Sequence, residues 1–185
     1  MKKSENSIKL QRISKRLGCF FYIGTFVLPV FVIFYWLGYN SPPIQLINSV
    51  FPGSHGGEMP QVLELNSRLI GLVGDLPALA VTLFSLDTLR RLFFLYAKGV
   101  FFRAENVAHY QKLSKLAFWG ILANIFDKTL VNLALTINNP PGQRVLTICF
   151  TQDHVKLMFV AIILMIIARV MNEGREIYDE NQLTV

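Results

Sequence analysis

The feature that most constrains this chain is a set of apolar runs too long for an ordinary soluble core. The first extends from Gly18 to Gly38, 21 residues without a charged side chain. A helix of that length can cross the roughly 30 Å hydrocarbon core of a bilayer. A cleaved signal peptide would carry a shorter apolar stretch before a small-residue cleavage site. This run ends instead in Tyr35, Trp36 and Tyr39, which we interpret as an aromatic belt at the outer end of an uncleaved membrane helix.

Three further runs bring the predicted spans to four, at about 18–38, 69–89, 113–137 and 155–171. The chain is 52% hydrophobic and 16% charged, whereas soluble domains carry about 25% charged residues. The third span is the least apolar because Asp127 and Lys128 lie within it, and such charges are costly in lipid unless paired or hydrated. We therefore predict an all-α fold, an integral membrane four-helix bundle.

The distribution of Lys and Arg predicts the orientation of the spans. Fourteen of the 18 basic residues lie before the first span, between the second and third, or at and after the end of the fourth. The opposite side has three, Arg68, Arg144 and Lys156. The positive-inside rule then places both termini in the cytoplasm. It also explains the net charge of +6 without direct binding of nucleic acid.

Two domains follow from this arrangement. Residues 1–17 form a cytoplasmic basic amphipathic segment, with Leu10, Ile13 and Leu17 on one face, and residues 18–185 form a single membrane domain. The first segment is either an interfacial helix on anionic lipid or a frayed basic tail that only sets the topology.

A short motif occurs twice on the predicted cytoplasmic side, in the form Gly-x-x-apolar-x-x-Glu-Asn. The two copies, 75 residues apart, consist of Gly99, Phe102, Glu105 and Asn106, and of Gly174, Ile177, Glu180 and Asn181. Each follows a helix that leaves the membrane on the same side. The offset indicates two parallel helical hairpins related by an axis along the membrane normal.

Each copy has the composition of a turn after a helix. Gly99 and Gly174 suit the left-handed position that ends a helix. Asn106 suits the N-cap of the next helix, with Glu105 near its positive end. Four residues follow Asn181 in this sequence, so we expect the second copy to dock onto the first copy or onto a protein partner.

The motif also carries a resemblance to a known family. The glycine followed by Phe102, Glu105, Asn106 and Val107, together with the ending Glu173–Val185, resembles the bacterial membrane family named domain of unknown function 2975. The resemblance implies four helices in a bacterial inner or cytoplasmic membrane, with no assigned biochemical function. Members often lie beside genes for small helix-turn-helix regulators, which implies membrane control of a transcription factor. The chain departs from the family pattern in its Pro- and Gly-rich first external loop and in the charges of its third span.

Asp75, Asp127 and Lys128 lie at a similar predicted depth, roughly 10–15 Å below the outer surface. In a structural interpretation Lys128 neutralises one aspartate and an amide bonds the other, since polar groups join helices in lipid. In a functional interpretation the three residues mark an ion or proton pathway. An aspartyl protease pair is disfavoured because the glycine spacing, the order of the two sites and the number of spans do not fit.

No sequence pattern typical of catalysis or cofactor binding is present, so we expect a non-enzymatic protein without cofactor or metal. His55 and Glu58 are a weak candidate metal pair in the first external loop. The predicted topology separates Cys19 from Cys149 by the hydrocarbon core, which excludes a disulfide between them.

Two functional hypotheses follow. The first is a membrane protein that binds a cytoplasmic protein through the motif copies, either as a membrane-held regulator of a helix-turn-helix transcription factor or as an immunity-type protein. The second is a small ion or solute transporter or channel that uses Asp75, Asp127 and Lys128. Four helices enclose little room, so the second hypothesis requires a homo-oligomer.

Overall fold

The computed structural model describes residues 5–50, 62–101, 103–140, 142–144, 146–148 and 150–183. Over these residues the protein is all-α, as predicted, with no strand. The five helices are α1 Glu5–Leu37, α2 Pro42–Val50, α3 Leu65–Ala97, α4 Ala104–Thr136 and α5 Gln152–Leu183. The count exceeds the predicted four because the short helix α2 forms in the predicted first external loop.

Three of the described helices, α1, α3 and α5, are long and apolar enough to cross a membrane. Their apolar segments have mean hydropathies of 2.3, 1.9 and 2.2. Helix α4 has the same length as α3, 33 residues, but Asn124, Asp127, Lys128 and Asn132 make its second half more polar. Large apolar side chains such as Phe20 and Phe26 of α1 are mostly exposed, so the fold presents surface suited to lipid.

The long helices pack side by side in chain order. Helix α3 packs against α1 and α4, and α5 packs against α4. Over the described residues α1 and α5 share no comparable interface. Side chains also join the end of α1 to α4, where Trp36 packs with Val131. We call this arrangement, in which the first and last long helices are not close neighbours, an open layer.

Helix α1 is continuous through the boundary that the sequence suggested at residue 17. Ser14 and Gly18 are buried and lie four residues apart, on one face of the helix. Gly18 lets α1 approach α3, where the ring of Phe94 lies beside it. Leu10 and Ile13, on the predicted apolar face, are about half exposed. The basic segment thus packs as an extension of the first apolar run.

The first motif copy forms the turn between α3 and α4. Gly99 has φ +79°, and the backbone N–H of Val100 donates to the carbonyl of Leu95 across 3.0 Å. The predicted helix-ending role of Gly99 is therefore confirmed, and Glu105 lies in the first turn of α4 as expected. Phe102 lies outside the described residues.

The predicted capping role of Asn106 is wrong. Helix α4 already begins at Ala104, with Arg103 at the N-cap position. Asn106 lies inside the first turn and is fully buried. Its side-chain amide donates to the carbonyl of Val100 across 3.1 Å, because the tight turn leaves that carbonyl in need of a donor.

The second motif copy is not a turn. Helix α5 continues through Gly174 to Leu183, and the glycines with positive φ in the described chain are Gly99 and Gly142. The predicted helix end at Gly174 is therefore wrong. A hydrogen bond of 2.9 Å from Asn172 to Glu176 spans the glycine on the helix surface and supports the continuous helix. The two copies have the same residue pattern but different conformations, so the motif does not support the predicted hairpin repeat.

Candidate functional site

The site is built where a glycine of α3 makes room for an indole of α1. A Cβ placed on Gly71 would overlap the six-membered ring of Trp36, so only glycine permits this contact. Trp36 is 2% exposed. Asp75 lies four residues after Gly71 and therefore on the same face of α3. The indole Nε1 donates to Oδ2 of Asp75 across 2.7 Å.

A second glycine brings α4 to the same level. A Cβ on Gly74 would lie 2.9 Å from Cβ of Leu130 and 3.7 Å from the backbone oxygen of Asp127. Small residues allow such close approach of helices in membrane-type packing. The backbones of α3 and α4 therefore meet beside Asp75 and Asp127.

This close approach places the two carboxyl groups within hydrogen-bonding reach of each other. We call Asp75 and Asp127 the acid pair. No N–H or O–H group of the described residues donates to the buried Oδ1 of Asp127. Two carboxyl groups form a hydrogen bond only when one of them carries a proton. The arrangement therefore has a place for one proton or for a cation between or beside the two groups.

A cavity of about 350 Å³ opens beside the acid pair. Helix α1 supplies an aromatic wall and α3 an aliphatic one. The lining consists of Leu28, Phe31, Val32, Tyr35, Trp36, Asp75, Ala78, Leu79, Thr82 and Asp127. Aromatic faces attract cations, and the volume holds several water molecules. The cavity thus offers a small cation two carboxyl groups and an aromatic surface.

Aromatic packing and side-chain bonds hold the end of α1 next to the site. The ring of Tyr39 stacks on Trp36 with centroids 6.1 Å apart. Asn40 binds the backbone of Leu63 twice, once as donor and once as acceptor, at 2.9 Å each. Burial, and to a smaller extent Tyr35, raises the pKa of Tyr39 to about 12, so this phenol stays neutral. These contacts fix the position from which Trp36 reaches Asp75.

Lys128 does not join the acid pair through a direct bond. It is 5% exposed, and its Nζ donates to Oγ1 of Thr151 across 3.0 Å. Its nearest carboxylate is Asp153, with Oδ2 at 3.6 Å. The structure therefore brings Asp75 and Asp127 together, whereas Lys128 contacts residues at the start of α5.

The motif residues lie on separate elements. Asn106 and Gly99 belong to the packed turn between α3 and α4. Ile177 and Glu180 lie on the last part of α5 and are exposed. Asn181 lies in the same helix, and its side chain is outside the description. A partner could therefore reach the second copy more easily than the first.

Trp36 and Gly71 were not predicted as site residues. The sequence placed Trp36 in an outer aromatic belt, but both it and Tyr39 are buried, because Gly71 leaves a space that the indole fills. Gly71 and Asp75 are four residues apart and so lie on one helix face. This spacing is the one sequence signal that could have predicted a close contact beside the Asp75 carboxyl group.

Within the described residues no three His, Cys, Asp or Glu side chains form a group that could hold a metal ion. His55 and Glu58, the weak candidate metal pair, lie outside those residues, as does Cys149. Cys19 is exposed and not bonded in a disulfide.

The fold and site define an all-α protein whose apolar helices carry a pair of partly buried carboxyl groups. The chain belongs to the family described as protein of unknown function (DUF2975), whose model matches residues 58–185. This match confirms the resemblance seen in the motifs and extends it to include Asp75 and Asp127, whereas Trp36 precedes the matched range. No curated protein and no solved structure matches the chain.

Proposed function

We propose that this is a multi-pass protein of a bacterial inner or cytoplasmic membrane, with four spans and both termini inside. The spans are α1, α3, α4 and α5. Helix α4 lies between α3 and α5, which are both apolar enough to cross a membrane. Lys128 donates a hydrogen bond to Thr151, and Asp127 lies where it can share a proton with Asp75, which lowers the cost of placing these two residues in lipid.

We further propose that the acid pair binds a proton or a monovalent cation within the membrane. The observation that carries this proposal is the contact of Asp75 with Asp127, whose buried Oδ1 has no other donor among the described residues. Ionisable residues placed in a membrane commonly mark proton or ion sites. The cavity beside them supplies space for the ligand.

Binding is better supported than conduction by a single chain. The long helices form an open layer over the described residues, and an open layer encloses no pathway. Transport through the acid pair would therefore require a second copy to complete the wall. This limits the transporter hypothesis to a homo-oligomer.

Trp36 provides a direct readout of the acid pair, because its indole is bonded to Asp75. The chain has two tryptophans, and Trp119 is largely exposed, so Trp119→Phe leaves Trp36 as the only indole. In vesicles of this variant we expect the emission of Trp36 to change in two steps with pH, since coupled carboxyl groups titrate as a pair. Adding Asp127→Asn should leave one step.

The matched control is Glu173→Gln, which removes an exposed carboxyl group of α5 and should leave both steps in place. Titration with sodium, potassium or ammonium at fixed pH separates a cation ligand from a proton. Identical titration curves for the Trp119→Phe protein before and after the addition of Asp127→Asn would contradict the proposal.

A second candidate function is binding of a cytoplasmic protein by the end of α5, and one observation favours it. Ile177 is 59% exposed on a helix that continues beyond the polar run 172–176. Glu176 and Glu180 are also exposed there, so this end of the helix presents an apolar and an acidic contact to a protein partner. A regulator of a helix-turn-helix transcription factor and an immunity-type protein both fit this surface.

In-cell crosslinking of the tagged protein, followed by mass spectrometry, tests this second function. We expect a soluble partner that is lost in the double variant Glu180→Ala/Asn181→Ala while membrane insertion persists. The buried Asn106 of the first copy is unsuited as a control because its loss disturbs the turn. Recovery of the same partner from wild type and variant would exclude this surface.

A further inference from the structure

Basic residues line a groove where α3 leaves the apolar region on the cytoplasmic side. The groove has a volume of about 500 Å³. It is lined by Arg90 and Arg91 of α3, by Lys98 directly after α3, and by Glu105 and His109 of α4. Arg90 directly follows the predicted second span, and Lys98 lies about 12 Å further along the helix. The groove therefore extends from the edge of the hydrocarbon into the layer of lipid headgroups.

A single carboxylate holds the two arginines in place. Oδ1 of Asp87 accepts from Nη2 of Arg90, and Oδ2 accepts from Nε of Arg91, both at 2.7 Å. The guanidinium of Arg90 also lies over the ring of Tyr22, 5.2 Å from its centroid. Asp87 can neutralise only one of the two arginines, so the pair keeps a positive charge in a fixed geometry.

The two arginines have N–H groups that Asp87 does not use. The buried Nε of Arg90 has no hydrogen-bond acceptor among the residues that the structure describes. Arg91 uses Nε for Asp87, which leaves its terminal nitrogens outside that bond, and its side chain is 60% exposed. Arginine donors in this fork arrangement suit the oxygens of a phosphate group.

The neighbouring histidine, which precedes the predicted third span, reports the local charge. Burial lowers the pKa of His109 below its ordinary value, and the positive charges of Arg91 and then Lys112 lower it further. The carboxylates of Glu105 and Asp87 act in the opposite direction and are weaker. Three basic side chains and one carboxylate line the groove, so its lining carries a net positive charge.

We propose that this groove binds the phosphate group of an anionic ligand. Its position at the end of a predicted span favours a lipid headgroup, because basic pockets between membrane helices on the cytoplasmic side hold anionic headgroups. Phe94, which also lines the groove and is partly exposed, adds an apolar surface between Arg90 and Lys98. This site is separate from the acid pair and does not depend on the function proposed for that pair.

Short-chain phosphatidylglycerol, phosphatidylcholine and inorganic phosphate, each titrated into the full-length protein in neutral detergent, test the proposal. We expect phosphatidylglycerol to bind and the double variant Arg91→Gln/Lys98→Gln to bind it about tenfold more weakly or worse, since each basic residue near an anionic surface contributes substantially. The control Arg103→Gln/Lys115→Gln removes the same charge from exposed residues of the same side that do not line the groove. It should retain wild-type affinity.

The three ligands distinguish the source of the phosphate. Binding of phosphatidylglycerol without inorganic phosphate assigns the groove to a lipid headgroup, and binding of inorganic phosphate with the same loss in the variant assigns it to a soluble phosphate. Circular dichroism of both double variants establishes that the helices are intact. Equal losses in variant and control, or no loss in either, would overturn the proposal.

Discussion

Gly71 is the residue on which the geometry of the acid pair depends most directly. Its missing side chain leaves the space in which the ring of Trp36 lies, and the indole bond to Asp75 follows from that position. We expect Gly71→Ala to cost about 1–3 kcal/mol of unfolding free energy, as overpacking of a well-filled contact does. It should also break the indole bond and change the emission of Trp36.

Gly120→Ala is the matched control for this substitution. Its Cβ would lie 3.7 Å from Cγ1 of Val81, an ordinary contact, and Ala favours a helix over Gly by about 0.5–1 kcal/mol. Both variants can be compared by denaturation in mixed micelles. Equal stability of the two variants would show that Gly71 does not hold the indole as described.

At this scale the sequence revealed the charged residues but not their partners. Asp75 and Asp127 were recognisable because carboxyl groups are rare in apolar runs. Their contact depends on Gly74, and the bond to Trp36 depends on Gly71. The sequence alone does not show that these glycines make room for a neighbour, because that depends on how the helices pack. Lys128 lies next to Asp127 in the chain, but successive residues of a helix point about 100° apart, and its ammonium reaches Thr151 instead.

At the scale of single elements, the two motif copies predict opposite responses to one substitution. Gly99 has φ +79°, so Gly99→Ala should cost about 1–2 kcal/mol. The built Cβ would also meet the side-chain amide of Gln11, which must move aside. Gly174 lies within α5, so Gly174→Ala should stabilise the protein by about 0.5–1 kcal/mol.

Thermal unfolding of the two alanine variants beside wild type measures this difference. A loss of stability in both variants would mean that Gly174 also ends a helix, as the sequence suggested. Gains in both would mean that Gly99 tolerates a side chain and that the turn is not held in the left-handed region.

The two motif copies also show why local sequence is not sufficient to predict such elements. The turn at Gly99 forms because α4 must return along α3, and the amide of Asn106 satisfies a carbonyl that the turn exposes. At Gly174 the same residue pattern lies inside α5, which continues to Leu183, so the pattern alone does not produce a turn. The length and low charge of the apolar runs, by contrast, located α1, α3, α4 and α5, because a run of about 20 apolar residues favours a membrane helix largely independently of its neighbours.

At the scale of the whole molecule, the open layer is the feature that the sequence predicted least well. Four apolar runs indicated a bundle, but the packing of α1 on α3, α3 on α4 and α4 on α5 follows from small residues such as Gly18 and Gly74 that lie on particular helix faces. A layer leaves both of its faces to lipid or to another chain. Exposed Phe and Ile side chains along α1 and α5 agree with lipid contact.

The placement of the acid pair inside a membrane depends on whether α4 crosses it. If α1, α3, α4 and α5 all cross from a cytoplasmic N-terminus, Cys149 lies outside the cell and Cys19 lies near the cytoplasmic end of the first predicted span. If α4 does not cross, the segment that carries Cys149 lies inside. The native cysteines therefore distinguish three crossings from four.

Labelling of Cys149 in intact spheroplasts with a membrane-impermeant maleimide is the most direct test. In Cys19→Ser protein we predict that Cys149 is labelled before lysis, and in Cys149→Ser protein that Cys19 is protected until the membrane is opened. Labelling of Cys149 only after lysis would contradict the account, because α4 would not span the membrane and the acid pair would not lie within it.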